Sequence, residues 1–186
     1  MSDKTALVPI ATGSEEIETV CIIDTLRRAD VTVTVAAVGN DTSVVCSRGV
    51  VLSAETLIAD LAGHSFDLIA LPGGMPGATH LRHSTLLATL LCDHAARGKL
   101  LGAICAAPAV VLLPLGLLDD RTATCHPAFF AELAADRRRE DRVVIDGNLV
   151  TSRGPGTAIE FALTLVGELL GPEVRAAVAG PMLARK

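Results

Sequence analysis

Residues 99–107 read Lys-Leu-Leu-Gly-Ala-Ile-Cys-Ala-Ala, and the uncharged run continues to Leu118 through Pro108, Pro114 and Gly116. About 18 such residues can form a membrane span. Two prolines and a glycine break this one, and no second such stretch occurs. A buried parallel strand over Lys99–Ile104, feeding a buried helix over Ala106–Leu115, has the same hydropathy. That reading sets the fold class, and no membrane association is expected.

Working outward, Phe66–Leu71 is a second buried strand, broken by Pro72-Gly73-Gly74. Ser84 opens a helix whose Leu86, Leu87, Leu90, Leu91 and Ala95 follow the helical period, and Gly98 ends it. Thr122–Cys125 reads as a short strand stopped by His126-Pro127. Arg142–Ile145 and Leu149–Ser152 face each other across Asp146-Gly147-Asn148, a hairpin signal. Thr157 and Glu160 form a capping-box pattern at the start of a helix that Gly171-Pro172 stops, and residues 173–186 form a short amphipathic tail. Towards the N-terminus, Ala6–Ala11 is a strand, and Ser14 is placed to cap a helix reaching Ala29. Val31–Val38 is a further strand, and Val44–Cys46 with Val50–Leu52 makes a hairpin or bulge. Strands alternate with helices almost throughout. This predicts one α/β domain over 1–186, with a mostly parallel sheet and helices on both faces.

Composition narrows the function. The chain has 186 residues, 16 Lys+Arg and 21 Asp+Glu, for a net charge of −5. With no Trp or Tyr and only four Phe, it lacks both the positive charge that neutralises phosphates and the aromatic platforms that stack bases. Nucleic acid is not expected as a tight partner. The five cysteines, at 21, 46, 92, 105 and 125, are odd in number and include no CxxC pair, so zinc-finger and thioredoxin readings fail. Reduced thiols and a cytoplasmic location are expected. The apolar run after Met1 is too short, and Glu15-Glu16 too acidic, for a signal peptide.

Ligand sites in such folds lie at the carboxyl ends of strands, where Gly73-Gly74, Cys105 and His126 fall. Cys105 sits between small residues at a strand-to-helix turn, the setting of a nucleophile elbow. A helix N-terminus there favours thiolate and predicts a pKa below the free value of about 8.5. A buried structural cysteine fits the same segment. Gly73-Gly74 can offer backbone N–H donors to an oxyanion, or form an ordinary turn. Glu15 and Glu16 suit the positive end of the helix dipole. Glu18 shares a stripe with Ile22, Thr25 and Ala29, so it faces inward and needs a partner or a proton, unless its tip reaches water. His126, held extended by Pro127, either aims at the strand-end site or lies on the surface. His80 and His83 share a helical face without a third ligand, so no metal is expected. Arg137–Arg142 reads as a solvated loop.

Five stretches stand in an order and spacing of high specificity: ALVPIATGSEEIETV (6–20), CSRGV (46–50), DLIALPGG (67–74), GAICAAPA (102–109) and TSRGPGTAIEFAL (151–163). On these the chain resembles the ThiJ/PfpI, or DJ-one/PfpI, superfamily from about Lys4 to Val178. Its nearest subgroup looks like the YajL and parkinsonism-associated protein deglycases. The resemblance implies a flavodoxin-like three-layer sandwich, a homodimer and no cofactor. It matches the reactive cysteine to Cys105, the acidic partner to Glu18, the thiol-side amide donors to Gly74 and Ala106, and a sometimes-catalytic histidine to His126. Arg48 and Arg153 match basic positions near the dimer interface that can contact anions. The implied activity is hydrolysis of methylglyoxal or glyoxal adducts on proteins, with protection against oxidative stress. The alternatives are a glutathione-independent glyoxalase making lactate from free methylglyoxal, and a redox-sensing holdase chaperone without turnover. Protease-like members carry a histidine immediately after the cysteine; Ala106 stands there, against peptidase activity. Pro9 lies within the first strand, where a missing N–H predicts a local bulge.

Overall fold

The computed structural model describes residues 3–184. Its main sheet contains β1 (Thr5–Ile10), β2 (Thr32–Ala37), β5 (Thr56–Leu57), β6 (Leu68–Leu71), β7 (Leu100–Ile104), β8 (Val143–Asp146) and β9 (Leu149–Ser152), in the order β5-β2-β1-β6-β7-β9-β8. Every pairing is parallel except β8 with β9, the hairpin over Asp146-Gly147-Asn148. A separate antiparallel ribbon joins β3 (Ser43–Val45) to β4 (Val51–Ser53).

The helices are α1 (Glu16–Arg28), α2 (Gly77–His83), α3 (Thr85–Ala96), α4 (Ala158–Leu170) and α5 (Pro172–Ala179). β6 and β9 are buried at every position, and β7 at all but its first. A strand buried at successive residues has cover on both faces, because its side chains alternate. α1 packs on α4 and α4 on α5, while α2 packs on α3 and on the segment after β7. The central strands carry Leu, Ile, Val and Ala almost alone, so the core is aliphatic.

Ser84 caps α3 through Leu87 N–H. α1 is capped by Glu15 rather than Ser14, whose Oγ instead accepts from Ala11 N–H at 3.0 Å. Thr157 precedes α4 without capping it; its hydroxyl is engaged by Gly154 and Ser152, and Glu160 pairs with Arg142. Residues 122–125 make only one bridge, Ala123 with Arg138, and no strand of the sheet. The stretch after Cys105 is a π-helical turn over Pro108–Leu112 and a 3₁₀ turn over Leu113–Leu115, ending at Gly116 with φ 71°. Among the described residues, no helix is long and apolar enough to cross a membrane.

Pro9 produces no bulge, since β1 stays in register with β2 through Pro9–Ala36 and Ile10–Ala37. Thr5 C=O accepts from Asp67 N–H, so alternation turns Pro9 nitrogen the same way, towards β6. The β1–β6 ladder registers only Ala6 with Leu68 and Leu7 with Ile69, which leaves Pro9 beyond it.

The chain leaves β1 towards β2 on one side and later returns to β6 on the other. The switch point of the sheet therefore lies between β1 and β6, where α/β folds place ligands. The loops after β1, β6 and β7 converge beside it.

Candidate active site

Cys105 is the first residue beyond β7 and has φ 64°. Left-handed backbone is strained for a side chain other than glycine, and such strain marks tight functional turns. Two backbone hydrogen bonds hold it: Cys105 N–H donates to Ser152 C=O at 2.9 Å, and Cys105 C=O accepts from His126 N–H at 2.8 Å. The side chain is 8% exposed.

Gly73, at the end of β6, presses against this elbow. A Cβ there would lie 2.6 Å from Cys105 Cβ and 2.8 Å from Ala106 N. Absence of a side chain lets the two strand ends meet. Gly74 follows with φ 87°, and the loop carrying Gly13, Ser14 and Glu15 fills the space its Cβ would need. The N–H groups of Gly74 and Ala106 both lie beside the Cys105 thiol and favour its ionised form.

Glu18 reaches the same point from the first turn of α1 and is fully buried. Its Oε2 accepts from Gly73 N–H at 2.8 Å, whereas Oε1 is buried without a conventional hydrogen bond. The carboxyl interacts with the Cys105 thiol and feels the negative charge of Glu15. Burial pushes Glu18 up to about 7, against the pull of Gly73 N–H and the thiol. A proton is therefore available at the site near neutral pH.

The expected low thiol pKa is corrected. Burial pushes Cys105 up to about 12, and the Glu18 carboxylate adds to the rise, against the amides of Gly74 and Ala106. The segment after Cys105 is wound as π and 3₁₀ turns from Pro108 to Leu115, and whatever its dipole contributes does not offset the burial of the thiol. A proton on Glu18 removes the like charge and makes the carboxyl a donor, so thiolate forms best while Glu18 is protonated.

His126 adjoins the elbow through its backbone. Its Nδ1 accepts from Ala128 N–H at 3.2 Å, and its ring lies 6.4 Å edge-on from Phe129. Arg48 is exposed on the β3–β4 turn, its N–H held by Glu16 Oε1 at 2.8 Å. Arg153 donates to Glu140 C=O at 2.7 Å and lies over the Phe130 ring. Cys105, Glu18, Gly74 and Ala106 thus share one site, whereas Arg48 and Arg153 have their own local contacts. Gly73 supplies the unobstructed approach expected of the Gly73-Gly74 pair, whereas Glu15 and Ser152 belong with the site in roles that sequence reading misses. The pairing of Gly73 with Gly74 was the one available signal, since one glycine meets the elbow and the other aims its amide.

The profile of the DJ-1/PfpI family matches residues 4–168. The chain belongs to that family. Arabidopsis thaliana protein DJ-1 homolog B is 45% identical over 185 residues, covering 99% of this chain and 42% of the relative; the chain thus spans less than half of that plant protein's length. A Caenorhabditis elegans relative named glutathione-independent glyoxalase DJR-1.2 is 35% identical, covering 100% of this chain and 99% of the relative. The solved structure of oxidized Toxoplasma gondii DJ-1 is 47% identical and superposes with a TM-score of 0.97, covering 98% of this chain and all of that one. The flavodoxin-like sandwich of the DJ-1/PfpI family is therefore the fold of this chain.

Proposed function

We propose that the chain is a cysteine-dependent enzyme converting the α-oxoaldehydes methylglyoxal and glyoxal to α-hydroxy acids. It takes them as early adducts on proteins, which makes it a deglycase-type hydrolase, or free, which makes it a glutathione-independent glyoxalase. The observation that carries this reading is the contact of a strained thiol with a buried, proton-retaining carboxyl beside two amide donors. The name of the Caenorhabditis elegans relative favours the free aldehyde as one substrate.

Cys105 Sγ adds to the aldehyde carbon, and the carbonyl electron pair moves to oxygen, which takes the Glu18 proton. Gly74 and Ala106 N–H groups stabilise the developing oxyanion. With an adduct, whose reacting carbon already bears a hydroxyl, Cys105 thiolate instead displaces the protein amine, guanidine or thiol from that carbon, and the leaving group takes the Glu18 proton. Glu18 carboxylate then removes the C–H proton beside sulfur and returns it to the neighbouring carbonyl carbon. One carbon is oxidised and its neighbour reduced, so no external redox partner is needed. Water hydrolyses the resulting thioester to the hydroxy acid and the free thiol. His126 is a further candidate for relaying protons to water.

Cys105→Ser nearly preserves volume but replaces the thiol with a hydroxyl that no base activates. It should keep the fold and lose lactate formation from methylglyoxal. Release from a purified adduct, measured with free dicarbonyl scavenged, separates the two substrate forms. Parent protein at the uncatalysed rate on both would overturn the enzyme reading and leave the holdase.

We further propose a homodimer. Ile17 and Val20 on α1, Val45 and Val51 on the ribbon, Val50 beside it and Met75 are all large, apolar and exposed. Apolar side chains left this open in one protomer fit a self-complementary interface.

A further inference from the structure

Glutamate is not among the favoured helix N-caps, which are Ser, Thr, Asp and Asn. Ser14 stands one residue earlier, yet its hydroxyl is held by Ala11 N–H. Glu15 takes the cap instead: its Oε2 accepts from Glu18 N–H at 2.7 Å, and its own N–H donates to Gly73 C=O at 3.0 Å. Gly73 N–H returns to Glu18 Oε2 at 2.8 Å. A closed ring of hydrogen bonds thus runs from Glu15 through Gly73 to Glu18 and back. Gly73 is the residue pressed against Cys105 Cβ. A half-buried carboxylate three residues before another carboxyl brings a repulsion that a serine cap would avoid.

We propose that Glu15 is a positioning residue. It sets the start of α1 so that Glu18 meets Gly73 and Cys105, and its negative charge keeps a proton on the Glu18–Cys105 pair. This rests on the reading of that pair as the reacting groups. Glu18 is faced by Gly73 N–H, the Cys105 thiol and Glu15. Cys105 is faced by Glu18 and by the amides of Gly74 and Ala106. On α1 itself, Cys21 lies within the field of Glu15, Glu18 and Asp24.

The test is the rate of Cys105 alkylation by iodoacetamide against pH, followed by mass spectrometry, which requires no substrate. Glu15→Gln removes the charge but keeps an acceptor oxygen, and Glu15→Asp keeps both the charge and a favoured cap. The alkylation midpoint should fall by about half a pH unit in Glu15→Gln and stay at the parent value in Glu15→Asp. The sign holds whichever group loses the proton, because removing a negative charge eases either ionisation. Should Glu15→Gln fold poorly, Glu15→Ser offers a favoured uncharged cap and should shift the same way. An unshifted midpoint in the uncharged variants, or an equal shift in Glu15→Asp, overturns the role of the charge. A shifted midpoint in a protein whose parent form does not turn over methylglyoxal or its adducts would sink the enzyme reading and leave the role of Glu15 standing.

Discussion

At Glu18 a single buried carboxyl ties the proposed proton transfer to stability. Its ordinary value of 4.5 rises to about 7 in the fold, chiefly by burial. The folded state therefore prefers the protonated form. The penalty is absent below about pH 4.5, grows with rising pH and is complete above about pH 7, at about 3 kcal/mol for a shift of this size. Glu18→Gln keeps an oxygen for Gly73 N–H and cannot ionise. Its gain in Tm over the parent should widen between about pH 5 and pH 8. Comparing parent and variant cancels the opposite trend from Asp67 and Asp146, whose carboxyls are held below their usual values. An equal gain at both pH values would mean that Glu18 does not titrate in that window.

Three elements meet at the site, and their fit depends on close backbone approach. The β6 end reaches the β7 elbow only because Gly73 has no side chain. Its own φ is not left-handed, so the obstruction to alanine there is steric. Gly73→Ala must push Cys105 or Ala106 aside, at about 1–3 kcal/mol of stability. A displacement approaching 1 Å should lower kcat about 100-fold. Gly156→Ala is the control, because no atom lies within 4 Å of its added Cβ. It should leave both urea midpoint and kcat near the parent values. Parent-like turnover in Gly73→Ala would show that the elbow tolerates displacement. Gly102 plays the corresponding part inside β7, where an added Cβ would crowd Leu165 and Phe161 of α4. There flexible side chains give way, so a smaller loss is expected.

For the whole molecule, the apolar patch on α1 and the ribbon lies on the elements that also anchor the site. Glu16 accepts from Ser47 Oγ and Arg48 N–H at 2.8 Å each, and Ser47 N–H donates to Ser14 C=O at 2.9 Å. Val51 is 61% exposed and Ile17 53% exposed on this surface. Light scattering of the parent should return twice the 19.2 kDa chain mass, and Val51→Lys should shift the particle towards one chain. A parent mass of one chain at micromolar concentration would reject the dimer. Because ribbon and site share Ser14, monomeric Val51→Lys should also show a lower kcat on methylglyoxal.

Periodicity and composition determined the layers. The runs Phe66–Leu71 and Lys99–Ile104 are apolar at nearly every position, and only a strand covered on both faces accommodates that pattern. The turn residues located Cys105 and Gly73-Gly74 at strand ends, and the spacing along α1 turned Glu18 inward. Caps were less legible: Ser14 and Thr157 have the right chemistry, but backbone and side-chain groups three to five residues upstream engage both hydroxyls instead. The 122–125 segment has strand-like residues, yet whether it pairs depends on a neighbour that sequence does not supply. Pro9 needed the register, because a missing N–H disrupts only the side that has a ladder. The thiol and carboxyl pKa values required tertiary structure as well. They depend on desolvation by the packed ends of three strands, and sequence spacing contains neither that burial nor the distance between Glu18 and Cys105.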